Sequence, residues 1–510
     1  MVVWRAVSET RTSDEKSSHP AGVRRVLVLF GVLVASAAMP YFVPGLERLR
    51  AFVPGDAVPF TRFFDFRPPT RVAIGGATER SERERTDEEL LAAAPLPTAP
   101  SPRVRGARAG ALGDLRIPAD ELAGLRRPVE DPSGAMEHFY ESLRAAARRE
   151  RGALTRILLY SDSVNGSDLV TSALRSSLQQ RFGDGGKGFV PIAPGWQYQR
   201  HQDVVWNQAN GWRVRVVNRG RDPIGRYGLG GVLAINGSQH STAAFATTDE
   251  GPGQSVATVR LLYQAWPGGG VVRLRVDDRA PVLVPTDAAV VEDMDHDLRV
   301  PDGAHSLEVG VESGELRLYG VVMEREGPGV VVDGLMLVGA FTRVLGNFDG
   351  AHWRAQMAMR EPDLVVFWVG ENDVISRTTG FDPEAYTEGY AQSLARWRPP
   401  GSPASCLVMS VLDSGESVDG AVQSVRRVPR VVAAQRAAAR RAGCAFLDAY
   451  EAMGGRESVR RWLDARPRLV SGDYRHLTPE GARIVSMLLR SALLAGYDDF
   501  LAAEAGVDIR

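Results

Sequence analysis

Hydrophobic residues along the chain follow two patterns that together predict an α/β domain. The segment TRILLY (155–160) is a short apolar run typical of a buried strand, and residues 167–182 carry Leu and Phe at helical spacing. Further apolar runs at 363–370, 406–412 and 444–450 alternate with helical segments. Strands that alternate with helices indicate a parallel, doubly wound sheet.

A different pattern fills the middle of the chain. Between residues 197 and 330, short segments rich in β-branched residues are separated by Gly and Asp turns, and no long helical pattern interrupts them. This spacing is typical of an all-β sandwich. We therefore predict a sandwich at 197–330, inserted between a first part of the α/β domain at 134–196 and a second part at 331–510.

An uncharged apolar segment at 26–44 precedes these domains. As a helix, residues 26–43 of it would span about 27 Å, which is enough for the core of a bilayer. The two arginines at 24–25 predict that residues 1–25 are cytoplasmic and that the remainder is exported. The tripeptide Ala-Ser-Ala at 35–37 resembles a signal-peptide cleavage site, but the polar lead-in is long for a signal peptide. We favour an uncleaved single-pass anchor in the inner (cytoplasmic) membrane, with the α/β domain and the sandwich in the periplasm.

Composition narrows the class of protein. Residues 45–133 are rich in Pro, Ala, Arg and Glu, which predicts a largely disordered tether. A formal net charge of −1 gives no basic field for a nucleic-acid partner. The histidines at 19, 138, 201, 240, 296, 305 and 352 lack paired metal-ligand spacing, and we predict neither a metal site nor a cofactor.

Two cysteines, Cys406 and Cys444, exclude a disulfide-rich scaffold and a Cys-based zinc cluster. Each begins a predicted strand. Their sulfurs could meet in a disulfide if those strands are neighbours in the sheet. Two buried free thiols are an equally good interpretation.

Three polar blocks end predicted strands or lie on an adjacent loop, at 161–163, 370–373 and 473–476. Functional residues gather at the C-terminal ends of such strands. A hydroxyl nucleophile needs a base, and the base needs an orienting group. His476 can be the base and Asp473 the orienting group. Each block alone is more often a turn, a cap or a surface histidine. Their order and placement together favour a catalytic site.

On these blocks the chain resembles the SGNH (GDSL-type) hydrolases, whose fold is a flavodoxin-like three-layer α/β/α domain. The resemblance covers about 134–196 and 330–497. It makes Ser163 the nucleophile, with Asp473 and His476 completing the triad. It also implies an oxyanion hole formed by the Asn372 side chain and the backbone N–H groups of Gly339 and Ser163. The glycine block, MLVGAFTR, is the weakest motif, and Gly334 and Gly346 are less suitable choices.

The segments RFGDGGKGFV and DAYEAMGG and the inserted sandwich resemble the branch that contains peptidoglycan O-acetylesterases. That branch carries a carbohydrate-binding-like β-sandwich between the serine and glycine blocks. The resemblance implies an esterase that removes O-acetyl groups from an acylated envelope polysaccharide. Of the tryptophans, Trp196, Trp206, Trp212 and Trp266 could stack on sugars if exposed, although core packing is the better default.

Two alternatives remain open. An O-acetyltransferase would use the same triad, because the triad does not decide whether water or a sugar hydroxyl accepts the acyl group. A catalytically inactive glycan-binding protein is the second, because Ser161 stands where the family has Gly. That Gly allows a tight turn at the nucleophile, which a side chain could crowd.

Overall fold

The computed structural model describes residues 129–219, 222–376, 380–399 and 401–506. The predicted membrane anchor at 26–44 and nearly all of the predicted tether lie outside these ranges. Among the helices of the described residues, none is both long and apolar enough to span a bilayer.

Helices and strands follow the two sequence patterns. The helices are α1 (Glu137–Ala147), α2 (Leu169–Phe182), α3 (Gly350–Arg360), α4 (Glu371–Ile375), α5 (Pro383–Ala395), α6 (Val428–Arg441), α7 (Ala449–Ala452), α8 (Ser458–Asp464) and α9 (Pro479–Glu504). The strands are β1 (Leu154–Ser161), β2 (Gly186–Pro191), β3 (Val205–Asn210), β4 (Trp212–Val216), β5 (Val232–Asn236), β6 (Thr242–Ala246), β7 (Val256–Ala265), β8 (Val271–Val276), β9 (Val282–Pro285), β10 (Glu292–Gly303), β11 (Ser306–Ser313), β12 (Arg317–Glu324), β13 (Gly329–Met336), β14 (Leu364–Trp368), β15 (Ser405–Met409), β16 (Gly415–Val418), β17 (Ala421–Ser424) and β18 (Ala445–Leu447).

The central sheet contains five parallel strands in the order β13-β1-β14-β15-β18. Counted along the chain without the insertion, this is the flavodoxin-like order 2-1-3-4-5. The predicted parallel, doubly wound sheet is confirmed. The strand order reverses between β1 and β14, and in open α/β sheets the ligand crevice lies outside the carboxyl ends of the strands at that point.

Both faces of the parallel sheet are covered by apolar cores. Strand β1 alternates between them, because successive side chains of a strand point to opposite faces. Ile157 and Leu159 enter the core shared with α1, α2 and α9, whereas Leu158 and Tyr160 enter the core shared with α3, α5 and α6. This double burial explains why the strand reads as a continuous apolar run.

The insertion is a two-sheet sandwich. One sheet contains β2, β4, β5, β7, β10 and β12, and the other runs β3-β6-β11-β8-β9. Strand β2 pairs antiparallel with β12, so the sandwich begins at Gly186 and the expected boundary at 196/197 was placed too late. The short apolar run of β2 suits a strand of either domain, and its pairing with β12 is what assigns it to the sandwich. Strand β13 already belongs to the parallel sheet.

The sandwich is packed directly on the hydrolase-like domain. Phe189 and Tyr319, from β2 and β12, are buried in the same core as α3 and α5. The Tyr160 hydroxyl donates to the Leu229 carbonyl at 2.9 Å. Nε2 of the buried His352 accepts from the Gly228 N–H at 2.9 Å. These buried contacts fix the sandwich relative to the carboxyl edge of the parallel sheet.

Cys406 lies on β15 and Cys444 immediately precedes β18, which is the neighbouring strand. The two cysteines form a disulfide. Of the two interpretations that the sequence left open, the disulfide is therefore the one observed.

Candidate active site

The nucleophile candidate sits in a tight turn held by the residue before it. Strand β1 ends at Ser161, and residues 163–165 form one turn of 3-10 helix. The buried Asp162 carboxylate accepts the N–H groups of Val164 at 3.1 Å, Gly370 at 3.0 Å and Glu371 at 2.9 Å. Burial raises the pKa of Asp162, and these three N–H groups oppose that effect. Asp162 thus joins the serine turn to the loop that follows β14.

The structure brings Ser163, His476 and Asp473 together, although the serine and histidine are 313 residues apart in sequence. The Ser163 Oγ lies 3.0 Å from His476 Nε2, and His476 Nδ1 lies 2.5 Å from Asp473 Oδ2. With Nδ1–H donating to the carboxylate, Nε2 is free to accept the serine proton. This is the geometry that a nucleophile, base and orienting group require.

The acidic partner of the histidine is anchored by the backbone of its own loop. Asp473 Oδ1 accepts the N–H groups of Arg475 and His476, each at 3.2 Å. Burial acts to raise the pKa of Asp473, but the hydrogen bonds from His476 and the backbone outweigh it and lower the pKa below its ordinary value. The His476 and Asp473 side chains are 40% and 44% exposed, so water reaches the site.

The loop before α9 is fixed from both sides. Thr478 caps the helix, with its Oγ1 accepting the Gly481 N–H at 3.1 Å, and Pro479 follows at the first helical position. On the other side, the Gly415 N–H donates to the Tyr474 carbonyl at 2.9 Å. These bonds determine where His476 points.

The oxyanion candidates follow the two strands that flank β1. Gly339, after β13, has a φ of +76°, which favours glycine, and it lines a cavity of about 350 Å³ with Ser163 and His476. Gly334 lies within β13 and Gly346 in a 3-10 turn, and neither lines this cavity. Asn372, after β14, donates from Nδ2 to the Ala340 carbonyl at 2.8 Å. That bond uses one of the two amide N–H groups.

Ser161, where the resembled family has Gly, does not crowd the turn. It is an ordinary strand residue, in register with Met336 on β13 and Trp368 on β14. The tight turn begins after it, at Asp162. Among the described residues its buried hydroxyl has no hydrogen-bond partner. The serine therefore imposes a desolvation cost, not a steric one.

Two further acids, Glu371 and Asp373, flank Asn372 in the sequence. Glu371 is buried, and burial raises its pKa to about 8, although the Ser414 hydroxyl donates to it at 2.5 Å. The Asp373 carboxylate accepts the Thr342 N–H at 2.8 Å, and burial raises the pKa of Asp373 to about 6. Both residues belong to the short helix α4, which also carries Asn372.

Two residues near the cavity come from outside the three polar blocks. Trp196 lines the cavity, whereas Trp206 and Trp212 pack against the sandwich core. Arg219, in the loop between β4 and β5, reaches Gly339. The sequence flagged Trp196 only as an aromatic, and no local pattern connects Arg219 to the site. In the described part of the chain, no group of three His, Cys, Asp or Glu residues could hold a metal ion.

Comparisons with known proteins give one family-model match and several similar solved structures. Residues 314–484 match the GDSL-like Lipase/Acylhydrolase family model. The match contains Gly339, Asn372 and His476, while Ser163 lies before it because the sandwich separates the serine from the other blocks. The comparison with curated proteins gave no match.

One similar solved structure is described as "Peptidoglycan O-acetylesterase in action, 5 min". It is 22% identical, with a TM-score of 0.62, over 73% of this chain and 99% of that chain. This likeness shows a shared fold. A family two carbohydrate esterase from Cellvibrio japonicus also matches, with 11% identity and a TM-score of 0.24 over 58% of this chain and 99% of that chain. An acetyl xylan esterase matches with 21% identity and a TM-score of 0.26 over 32% of this chain and 81% of that chain. Their low TM-scores support no structural argument.

Proposed function

We propose that this chain, which contains a GDSL-like lipase/acylhydrolase domain and is an ester hydrolase of the SGNH type, removes O-acetyl groups from a cell-envelope polysaccharide such as peptidoglycan. The observation that carries the chemistry is the hydrogen-bonded triad Ser163–His476–Asp473, whose serine and histidine line a cavity. The alternative of an inactive glycan-binding protein rested on Ser161 in place of Gly. It is disfavoured because the triad is intact with Ser161 present.

In the first half-reaction, His476 Nε2 takes the proton of Ser163 as its Oγ attacks the acetyl carbonyl carbon. Negative charge develops on the carbonyl oxygen. The backbone N–H groups of Gly339 and Ser163 and the Asn372 amide would stabilise it. Asp473 stabilises the imidazolium that forms. Collapse of the intermediate breaks the ester C–O bond, and His476 returns the proton to the departing sugar oxygen.

In the second half-reaction, water attacks the acetyl-serine. His476 takes a proton from that water, acetate leaves, and the serine hydroxyl is restored. The exposed fractions of His476 and Asp473 support hydrolysis, because water has direct access to the base. A transferase would need the sugar hydroxyl to outcompete this water.

The polysaccharide substrate is supported by the shape of the site. The cavity of about 350 Å³ has room for more than an acetyl group, and Ser163 and His476 line it. Arg219, in the loop between sandwich strands β4 and β5, reaches Gly339, which lines this cavity. The solved structure with the shared fold is named a peptidoglycan O-acetylesterase. Together these features favour a sugar ester.

We further propose that the catalytic domain is exported and held at the inner membrane by the segment 26–44. Two features support this location. The segment is uncharged and long enough to cross a bilayer, and the Cys406–Cys444 disulfide is typical of oxidising compartments such as the periplasm.

The test is acetate release from O-acetylated peptidoglycan, measured beside hydrolysis of p-nitrophenyl acetate. Ser163→Ala and His476→Ala are expected to lose both activities. Ser167→Ala is the matched control, because Ser167 lines the same cavity but offers only its carbonyl to Gln202. Cleavage of p-nitrophenyl acetate without acetate release from the glycan would reject the substrate. Activity retained by Ser163→Ala would reject the triad.

A further inference from the structure

The loop between β4 and β5 is anchored at Val217 and Asn218 to residues near Gly339. Val217 is buried in the core shared with α3 and α5, and its carbonyl accepts from Asn347 Nδ2 at 3.3 Å. Asn218 donates from Nδ2 to the Val338 carbonyl at 2.8 Å, one residue before Gly339. The loop that follows β4 is thus tied to the segment that carries Gly339, and the position of the next residue in the loop is set.

That next residue is Arg219, and it places a cation beside the oxyanion candidate. Its side chain is exposed, and its Nη2 lies 3.1 Å from where a Cβ on Gly339 would be. Gly339 in turn lines the cavity that contains Ser163. Within the described residues no carboxylate forms an ion pair with Arg219. An arginine fork held at the edge of a cavity is suited to a carboxylate that arrives with the substrate.

An aromatic residue, Trp196, lines the same cavity as Gly339. Trp196 meets Tyr198 edge-on, with ring centroids 5.1 Å apart. Tyr198 is 58% exposed. Large, rigid aromatic faces provide apolar contact area at low entropic cost, which suits the C–H face of a sugar ring.

A buried polar network supports the loop between β2 and β3, which carries Trp196. The Asp168 carboxylate, fully buried, accepts from Lys187 Nζ at 2.8 Å and from the Gln202 N–H at 3.0 Å. Arg175 pairs with Asp203, in the same loop as Trp196. Such fixed support lowers the cost of ordering the loop when a ligand binds.

We propose that the loop between β2 and β3, which carries Trp196, and the loop between β4 and β5, which carries Arg219, complete the active site as a subsite for an anionic glycan. The sugar ring would lie on Trp196 and a substrate carboxylate on Arg219. The proposal rests on the proposed function, since it names the kind of glycan ester that the same site accepts. The sandwich then acts as part of the catalytic pocket, not only as a separate glycan-binding module.

The experiment measures binding without turnover. The Ser163→Ala protein is titrated calorimetrically with O-acetylated peptidoglycan fragments, either with free carboxylates or after their carbodiimide-driven amidation. We expect about fivefold tighter binding of the free-carboxylate fragments, the gain that an exposed arginine–carboxylate pair provides. High salt should remove this preference.

Variants made in the Ser163→Ala background assign the preference to Arg219. Arg219→Gln should abolish it, and Arg219→Lys should keep most of it. Arg215→Gln is the matched control, because Arg215 is an exposed arginine on nearby β4. It should leave both affinities unchanged. Trp196→Ala should weaken both fragments about tenfold while preserving their ratio, and Trp196→Phe should recover most of the loss.

The outcomes separate this proposal from the proposed function. Equal affinity for the two fragments, no binding of either, or an unchanged preference in Arg219→Gln would each overturn the anionic subsite. Acetate release by the wild-type protein is measured independently. Carboxylate-selective binding without acetate release would leave the subsite standing and reject the O-acetylesterase function.

Discussion

Replacing Glu371 with glutamine should change how stability depends on pH. Burial raises the pKa of Glu371 from 4.5 to about 8, so the folded protein keeps this carboxyl protonated at pH values where the unfolded chain has lost the proton. The glutamine side chain has nearly the same shape and could still accept the Ser414 hydroxyl, which now lies 2.5 Å from Glu371 Oε1. The Glu371→Gln variant therefore removes the titration and retains the contact.

The sign and size follow from proton linkage. Between the two pKa values, unfolding of the wild-type protein releases a proton, so its free energy of unfolding falls as pH rises, by about 1.4 kcal/mol per pH unit. Across the window from 4.5 to about 8 the loss amounts to about 5 kcal/mol. The stabilisation is present below pH 4.5 and is gone once the pH passes about 8. Glu371→Gln should not show this loss.

Urea unfolding of the wild-type protein and of Glu371→Gln, at intervals from about pH 5 to about pH 8.5, measures the effect across the linkage window. The difference between the two proteins cancels the other titrating groups, Asp373 included. Glu416→Gln, an exposed glutamate on β16, is the control for losing one negative charge. Parallel stability curves for Glu371→Gln and wild type would refute the reasoning, because Glu371 would then be ionised in the folded state.

Three other substitutions test separate features. Asp473→Asn should lower kcat at least about 100-fold, since the amide no longer fixes the tautomer of His476; a loss below about threefold would contradict an orienting role. Ser161→Ala removes a buried hydroxyl without a partner among the described residues and should raise the free energy of unfolding by about 1 kcal/mol with activity unchanged, and a destabilised variant would argue against this. The double variant Cys406→Ala/Cys444→Ala opens a disulfide with a sequence separation of 38 and should lower the free energy of unfolding by about 4 kcal/mol; urea unfolding equal to that of wild type would contradict it.

Much of the architecture was readable from local patterns. The burial of β1 on both faces leaves an uninterrupted apolar run, and helices such as α9 carry their own cap and first-turn proline. Polar residues just after strand ends are exposed to the ligand crevice of a parallel sheet, so the blocks containing Ser163 and Asn372 stood out. These signals depend on neighbours within a few residues of one another.

Local sequence patterns did not predict which sheet each strand joins. Strand β2 has an apolar run that suits either domain, and it joined the sandwich because β12 offers it an antiparallel edge. Likewise, the sequence could not choose between a disulfide and two thiols. That choice depended on β15 and β18 becoming adjacent, which places Cys406 beside Cys444.

The sequence by itself determined the fold class, the order of the chemical blocks and the identity of Ser163, Asp473 and His476 as candidates. The tertiary structure alone decided what surrounds them, including Arg219 over Gly339 and the buried Glu371 beside Ser414. Periodicity and motif spacing record the local backbone and the burial of each residue. The pKa of a buried group and the contacts offered to a substrate depend on residues that are far apart in the sequence and become neighbours only in the folded protein. No local sequence pattern predicts those contacts.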